Sequence, residues 1–278
     1  LRMGTTGLTA QSLGAQDDDE VRAWLIRGVL IAIVIGTFLI FMQIPISLHV
    51  FDWTNASDEV LPLALEYFYI RIWCAPTTLL NFVILGWFLG MQNPRYALFT
   101  QVVLNGLNIV LDLWFVVGLD MGVAGVAKAT LIAEIIGVTF GLWLVRRSAR
   151  QLRGNWSLTK IHEKQKLLRM LRVNSDIFIR SLCLQGSFFL FTSSGARQSD
   201  IILASNTILL QFTVLSAYAL DAFANAAEAL AGKAYGASNQ KDFRSAVVAS
   251  SRWALVFSLI FALLFYTTGP LLIDLLTS

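Results

Sequence analysis

Charged residues are scarce in this sequence. They make up 14% of its 278 residues, whereas soluble domains carry about a quarter. Hydrophobic residues account for 56% of the chain, and its mean hydropathy is +0.66. A chain of this composition needs lipid rather than water around it, which excludes a soluble globular domain.

Residues that form disulfides, metal sites and catalytic groups are also few. The two cysteines, Cys74 and Cys183, lie inside apolar runs, which favours ordinary packing over a disulfide framework. The two histidines, His49 and His162, lie far apart in predicted loops. The sequence has no His-Glu-x-x-His pattern, no cysteine pair at metal spacing and no glycine-lysine phosphate loop. We therefore expect neither an enzyme nor a cofactor, and an ion gradient rather than ATP as any energy source.

Long apolar runs are what the chain has instead. Seven of them exceed 20 residues, the length that a helix needs to cross about 30 Å of hydrocarbon. Backbone groups must be hydrogen-bonded inside lipid, and the alternating segments of membrane strands are missing. The predicted fold class is all-α, a polytopic membrane protein. The runs lie near 23–46, 62–91, 96–118, 122–145, 170–195, 200–235 and 246–275.

The positive charge of the chain is concentrated in its loops. Residues 146–172 hold nine lysines and arginines against one acidic residue, Glu163, so the positive-inside rule predicts a cytoplasmic connector. The net charge of +3 and the isoelectric point near 9.0 thus reflect membrane orientation, and no nucleic-acid partner is expected. The sides of the other loops follow, because successive loops alternate across the membrane. We expect 1–22, 92–95 and 236–245 inside, and 47–61 with the turns near Asp120 and Arg197 outside.

An internal repeat relates two parts of the chain. Segment 8–17 matches 230–239 at an offset of 222 residues, and each copy contains a Gly-Ala pair, at Gly14 and at Gly236. Six predicted spans separate the copies, and an even number gives both the same orientation across the membrane. The sequence therefore predicts two parallel-repeat helical bundles. Their predicted extents are 1–145 and 170–278, joined by a basic cytoplasmic linker at 146–169.

Polar residues form a seam along the third predicted span. Gln101, Asn105, Asn108 and Asp112 follow at steps of four, three and four, which places them on one helical face. A charge in the middle of a membrane costs about 2.5 to 3.5 kcal/mol on insertion scales, so Asp112 is a candidate functional group. It either carries a proton during transport or pairs with Arg71 of the preceding span.

The fourth and sixth spans carry similar seams. In the fourth, Thr130 and Glu134 share a face. The structural alternative is that Lys128, or a helix expected outside this sequence, neutralises Glu134. In the sixth, polar residues again recur at steps of three and four, and Asp221 has either a functional or a structural role. For Glu228, the last residue of that seam, an ion pair with Arg180 is the favoured interpretation. The seam consists of Tyr218, Asp221, Asn225 and Glu228.

Several of these segments resemble one transporter family. The stretch NGLNIVLD at 105–112, followed by GVAG at 122–125 and Ala-Thr at 129–130, is similar to the fifth-to-sixth helix signature of the multidrug and toxic compound extrusion (MATE) transporters. RMGTTGLTAQ at 2–11 and YALDAFA at 218–224 resemble the DinF branch of that family in particular. The resemblance covers essentially the whole chain.

The resemblance implies a secondary antiporter of the inner (plasma) membrane. Such a protein exports amphipathic, often cationic, organic compounds in exchange for H⁺ or Na⁺, through a cleft between two six-helix lobes. The full design has 12 helices, of which we expect about seven spans and part of another here. On this view the first helix and most of the second precede the chain, and the last three follow it. We expect a monomer whose partners are small organic substrates and lipid.

The resemblance also implies a set of coupling residues. Positions matching the family's proton site are Asn81, Asn108, Asp112 and Thr130. Two other classes stay open as alternatives. A lipid-linked precursor flippase of the same superfamily should show a more cationic cavity, and an intramembrane enzyme should show clustered ligands or acid-base groups.

Overall fold

The computed structural model describes residues 1–278 except 55, 56, 58, 154, 155, 197–199 and 278. Within this described part the regular structure is entirely helical, which confirms the all-α prediction. Helices α1 to α11 are joined by short turns, a 3₁₀ turn at Ile72–Cys74 and a π-helical turn at Leu113–Gly118. The helices are α1 Arg2–Gly14, α2 Asp18–Phe41, α3 Gln43–Thr54, α4 Val60–Arg71, α5 Ala75–Gly90, α6 Pro94–Asp112, α7 Gly122–Ala149, α8 Leu158–Ile161, α9 Lys164–Ala196, α10 Asp200–Gly236 and α11 Gln240–Thr277.

Among the residues that the structure describes, seven helical segments are long and apolar enough to cross a membrane, as the sequence predicts. The second of these contains the 3₁₀ turn, and the third passes into the π-helical turn directly after Asp112. Turns of this kind inside a span often mark functional positions, since they redirect side chains and free backbone groups. The segments are 18–41, 60–90, 94–118, 122–149, 164–195, 206–236 and 240–269.

Local sequence signals fix where two of the spans begin. The Asp17 side chain caps α2 by accepting a hydrogen bond from the Glu20 backbone N–H at 3.0 Å. Acidic residues in the first turn also suit the positive end of the helix dipole. Asn93 caps α6 in the same way, and Pro94 occupies its first turn, where a missing N–H costs nothing. Both spans therefore begin at polar turns whose side chains cap the helix.

The apolar core lies where α2, α5 and α7 meet. Trp87 and Phe88 of α5 are fully buried there, against Leu25 of α2 and Leu144 of α7. Helix α6 packs mainly on α7, whereas α9 and α11 pack on α10. Helix α1 contacts both α5 and α10. It therefore connects the helices of the N-terminal part with those of the C-terminal part.

The contact between α1 and α10 is reciprocal about the internal repeat. A Cβ atom placed on Gly14 would lie 1.9 Å from the Lys233 carbonyl oxygen, and one placed on Gly236 would lie 1.9 Å from the Gln11 carbonyl oxygen. Gln11 and Lys233, like Gly14 and Gly236, are 222 residues apart. In each contact, the glycine of one copy meets the residue of the other copy that is equivalent to its own neighbour. A two-fold axis between the two copies produces such reciprocal contacts.

The linker residues dock on the start of α2. The Arg22 guanidinium donates hydrogen bonds of 2.9 Å to the carbonyls of Ala149 and Leu152. Lys160 forms an ion pair of 2.7 Å with Asp17, and the Arg153 N–H donates to Asp18. The acidic residues at the start of α2 thus neutralise part of the positive charge of the linker.

A buried arginine holds the other end of the linker. Arg27 is completely buried and pairs with the Glu20 carboxylate at 2.6 Å. Its guanidinium also donates to the backbone carbonyls of Lys160 and Ile161, and it stacks over the Trp24 ring. A second cation, Lys166, approaches the same carboxylate at 2.9 Å. The cost of burying the Arg27 charge is therefore offset by an ion pair and by hydrogen bonds to two linker carbonyls.

Acidification is expected to loosen this docking. Burial, the largest contribution, would raise the pKa of Asp17, but hydrogen bonds from Lys160 and the Glu20 N–H, with the charges of Lys160 and Lys166, outweigh it and lower the pKa below 3.8. A lowered folded-state pKa adds stability that is complete above about 3.8 and is lost as the pH falls through the folded-state value. Thermal unfolding between pH 7 and pH 3 should therefore depend on pH less in Asp17→Asn, which keeps the capping oxygen. An unchanged pH dependence in that variant would contradict the expectation.

Candidate transport site

Most of the polar residues that the sequence singles out lie in two polar clusters or line one cavity. The first cluster lies between α5 and α7. The Thr78 hydroxyl donates to Glu134 Oε1 at 3.1 Å, and Asn81 Nδ2 donates to Glu134 Oε2 and, at 3.4 Å, to its backbone carbonyl. Asn81 and Glu134 are 3% and 8% exposed. The side-chain oxygen of Asn81 is buried without a hydrogen-bond partner.

The second cluster lies between α6 and α7. Asn108 Nδ2 donates to the Thr130 hydroxyl at 3.3 Å, and that hydroxyl donates to the Val126 carbonyl one turn earlier. Asp112 stands one turn beyond Asn108, at the junction with the π-helical turn. The structure thus brings together Asn108 and Thr130 of the predicted coupling set, whereas Asn81 bonds to Glu134.

No ion pair joins Arg71 to Asp112 among the residues that the structure describes. Asp112 Oδ1 and Arg71 Nη1 are each buried without a hydrogen-bond partner. Arg71 instead lies beside the thiol of Cys74 in the 3₁₀ turn. The static pair that the sequence offered as one interpretation of Asp112 is therefore not formed among the described residues.

The predicted pair of Glu228 with Arg180 also lacks a direct contact in the described part of the chain. Arg180 instead hydrogen-bonds the Met3 sulfur at 3.5 Å. Glu228 lies against the backbone of Gly7 on α1, and one of its carboxylate oxygens is buried without a partner. Close packing of α1 on α10 places Glu228 at the contact between these two helices.

A cavity of about 1000 Å³ lies between the two groups of helices. Its walls come from α1, α5 and α6 on one side and from α9 and α10 on the other, and they are mostly apolar. Gln101 and Asn225, each from a predicted seam, contribute amides to it. A large apolar cleft with a few placed polar groups is the usual form of a small-molecule site.

The other seam residues lie on exposed surfaces of the chain. Asn105 and Asp221 are exposed, and Tyr218 is 72% exposed. The structure brings them into neither polar cluster. Their transport roles stay predictions, since helical periodicity assigns a shared face without saying what that face contacts.

Sequence reasoning overlooked two residues near these sites. Thr78 precedes Asn81 by three residues, which is the spacing that places both on one face of a helix. Gln92 bridges the repeats by accepting from Lys233 Nζ at 3.1 Å and donating to the Ala229 carbonyl at 3.5 Å. The first could have been found from spacing, whereas the second required the packing of α5 on α10.

Comparisons with known proteins identify the family. The profile described as MatE matches residues 1–114 and 177–278. The DNA damage-inducible protein F of Escherichia coli (strain K12) is 40% identical over 282 residues, which cover 100% of this chain and 61% of that protein. The multidrug export protein MepA of Staphylococcus aureus (strain NCTC 8325 / PS 47) is 23% identical over 216 residues, covering 77% of this chain and 48% of MepA.

Solved structures share the fold. A crystal structure of MATE in complex with MaD3S matches with a TM-score of 0.89 at 22% identity, covering 98% of this chain and 62% of that one. The outward-facing conformation of a multidrug resistance MATE family transporter of the MOP superfamily matches with a TM-score of 0.86 at 22% identity, covering 98% and 61%. The chain thus spans less than two thirds of these relatives. Profile, relatives and fold agree, and the chain belongs to the MatE family of multi-pass membrane proteins.

Proposed function

We propose that this chain acts in a secondary antiporter that exports amphipathic, often cationic, organic compounds in exchange for H⁺ or Na⁺. The observation that carries the proposal is the cavity of about 1000 Å³ between the two helix groups, which is large enough for a drug-sized molecule. The S. aureus relative is a multidrug export protein, which supports the same activity. A carrier of this kind needs no catalytic residue or cofactor.

The cavity and the α1–α10 contact suggest the direction of access. The cavity reaches Leu230 of α10, six residues from Gly236, or about 9 Å at 1.5 Å per residue. The close contact at Gly236 lies between the cavity and the linker, and Gln92 bridges the same end. We infer that the linker side is closed in this arrangement and that substrate leaves toward the other side.

We further propose that linker 146–169 is cytoplasmic and that the protein lies in the inner (plasma) membrane as a monomer. Hydrogen bonds and close contacts join 11–22, 92, 149–153, 160–166 and 233–236 at one end of the helices. These are the segments that the basic loops assign to the inside. Lipid and small organic substrates are the partners in this proposal, with no nucleic acid.

Asp112 is the group that we expect to couple ion movement to export. Its carboxylate is partly buried beside the Asn108–Thr130 hydrogen bond, with one oxygen unpartnered, so it has capacity for a proton or cation. Asp112→Asn in the full-length protein should reduce gradient-driven efflux of a cationic fluorescent dye at least tenfold while leaving membrane levels unchanged. Efflux is measured in cells with and without a proton uncoupler.

Asp120→Asn is the matched control, since it makes the same change in the exposed turn that follows the π-helical segment. Its efflux should equal that of the unmodified protein. Normal efflux in Asp112→Asn would rule Asp112 out as the coupling group. Loss of the protein from the membrane would instead indicate a structural role.

A further inference from the structure

The last two turns of α7 carry an aromatic residue and three arginines on one exposed face. Trp143 is 55% exposed, and Arg146, Arg147 and Arg150 are exposed as well. The arginines follow Trp143 at three, four and seven residues, which places all four side chains on one face of the helix. Leu144, on the opposite face, belongs to the apolar core. Together the four exposed residues form the α7 patch, which points away from that core.

The acidic residues near the linker leave the charge of the α7 patch uncompensated. The ion pairs at the start of α2 are made by Lys160, Lys166 and Arg27. Glu163 in the linker pairs with Lys166 as well. Within the described residues, no ion pair includes an arginine of the α7 patch. The positive charge of this region is therefore divided into an inner set that is neutralised and an outer set of three that is not.

The end of α7 is capped by another arginine. Basic side chains in a last turn often bind the final carbonyls of their own helix. Here Arg22 of α2 donates hydrogen bonds of 2.9 Å to the carbonyls of Ala149 and Leu152. The arginines of the α7 patch are thus not needed for this capping, and their guanidinium groups are open to an anion from outside the protein.

The order of residues along α7 matches the layers of a membrane surface. Trp143 lies about one turn before Arg146 and Arg147, a rise of roughly 5 Å at about 1.5 Å per residue. The interfacial layer on each side of the hydrocarbon is roughly 5–8 Å thick. Tryptophan is enriched at the hydrocarbon boundary, and anionic lipid attracts basic residues next to a span. With the indole ring at that boundary, the arginines lie at the depth of the lipid phosphates.

We propose that the α7 patch binds the headgroup of an anionic phospholipid. Guanidinium groups donate paired hydrogen bonds to phosphate oxygens, and the indole N–H of Trp143 is a donor for the ester carbonyls of the lipid. Phe140 stacks on the Trp143 ring with centroids 5.7 Å apart, which restrains the indole. A zwitterionic lipid offers the same phosphate but places its own ammonium among the arginines. The patch therefore prefers a headgroup of net negative charge, and this preference is independent of transport.

Quenching of Trp143 fluorescence by brominated lipids tests the proposal. The full-length protein is reconstituted in phosphatidylcholine, which is replaced in steps by phosphatidylglycerol or phosphatidylcholine brominated near the glycerol end of its chains. The Trp143 contribution is the difference between the unmodified protein and Trp143→Phe. Anionic phosphatidylglycerol should bind beside Trp143 roughly threefold or more in preference to phosphatidylcholine. Added salt should weaken this preference, because the attraction is electrostatic.

Charge variants assign the preference to the arginines. Replacing all three by glutamine should make the two lipids quench Trp143 equally, whereas replacing all three by lysine should keep most of the preference. The matched control removes three positive charges from exposed positions of α9 and α11 and should quench as the unmodified protein does. Its substitutions are Arg172→Gln, Lys241→Gln and Arg244→Gln. Equal quenching by phosphatidylcholine in every variant verifies that Trp143 still faces lipid.

Equal quenching by the two lipids in the unmodified protein would overturn the proposal, as would a preference that survives the loss of all three arginines. Inorganic phosphate at constant ionic strength separates a lipid headgroup from a free phosphate ion. The preference should be unchanged by it, and its disappearance would show that the arginines bind the free ion instead. Quenching by neither lipid would show that another protein surface covers the patch, which also contradicts the proposal.

Discussion

Alanine at Gly14 or at Gly236 is expected to force α1 and α10 apart. Each new methyl would lie 1.9 Å from a backbone carbonyl oxygen of the facing helix, roughly 1.5 Å closer than a normal van der Waals contact. Backbone atoms cannot move aside as a flexible side chain can. We expect a loss of about 1–3 kcal/mol or more from overpacking in each variant, and dye efflux near background. Thermal unfolding of the purified full-length protein measures the first effect.

Gly186→Ala is the control for this prediction. Gly186 lies in the middle of α9, and a Cβ there would meet nothing within 4 Å. Alanine is the better helix former by about 1 kcal/mol, so the control should be neutral or slightly stabilising. The reciprocal geometry adds a stricter requirement, that Gly14→Ala and Gly236→Ala have similar effects. Two stable and active variants would show that the helices do not approach this closely.

Loss of the Arg27 side chain is expected to be the most damaging change near the linker. Arg27→Ala would leave the buried Glu20 carboxylate with Lys166 as its remaining cation and would remove donors from two linker carbonyls. Breaking a buried pair by removing one partner costs about 3–5 kcal/mol. We expect a strongly lowered unfolding temperature and faster proteolysis of the linker near Arg153, both measured in detergent.

A second substitution separates charge from packing at this position. Arg27→Met combined with Glu20→Gln removes both charges while keeping much of the buried volume, and it should recover part of the stability lost in Arg27→Ala. Arg172→Ala, at an exposed position of α9, should be nearly silent. If Arg27→Ala unfolds at the same temperature as Arg172→Ala, the buried pair does not hold the linker.

The candidate site was partly predictable from spacing. Steps of three and four placed Asn108 with Asp112, and Thr130 with Glu134, because residues at this spacing share a helical face. Which faces meet was not predictable in this way. Asn81 was grouped with Asp112 by resemblance, but it bonds to Glu134, since the depth and rotation of α5 relative to α7 are set by packing of bulky residues such as Trp87.

The partners in ion pairs also could not be predicted from the sequence. The sequence paired Arg71 with Asp112 and Arg180 with Glu228 by estimated depth in the membrane, and neither contact is formed in the described structure. The buried pair that is formed, Arg27 with Glu20, lies seven residues apart on α2. It was missed because the other partners of Arg27 are linker carbonyls, and no periodic pattern reports which carbonyls a distant side chain reaches.

Composition and periodicity by themselves determined the helical membrane fold and its seven spans, since these depend on the transfer of local segments into lipid. The 222-residue repeat, inferred from matched residues, stays a prediction. The repeat also predicted equivalent places for Gly14 and Gly236. Only the tertiary structure showed that these two elements touch each other, that the linker docks on α2, and that a cavity separates the helix groups. Those features depend on contacts between segments more than 100 residues apart, and their geometry follows from side-chain packing that a one-dimensional pattern does not contain.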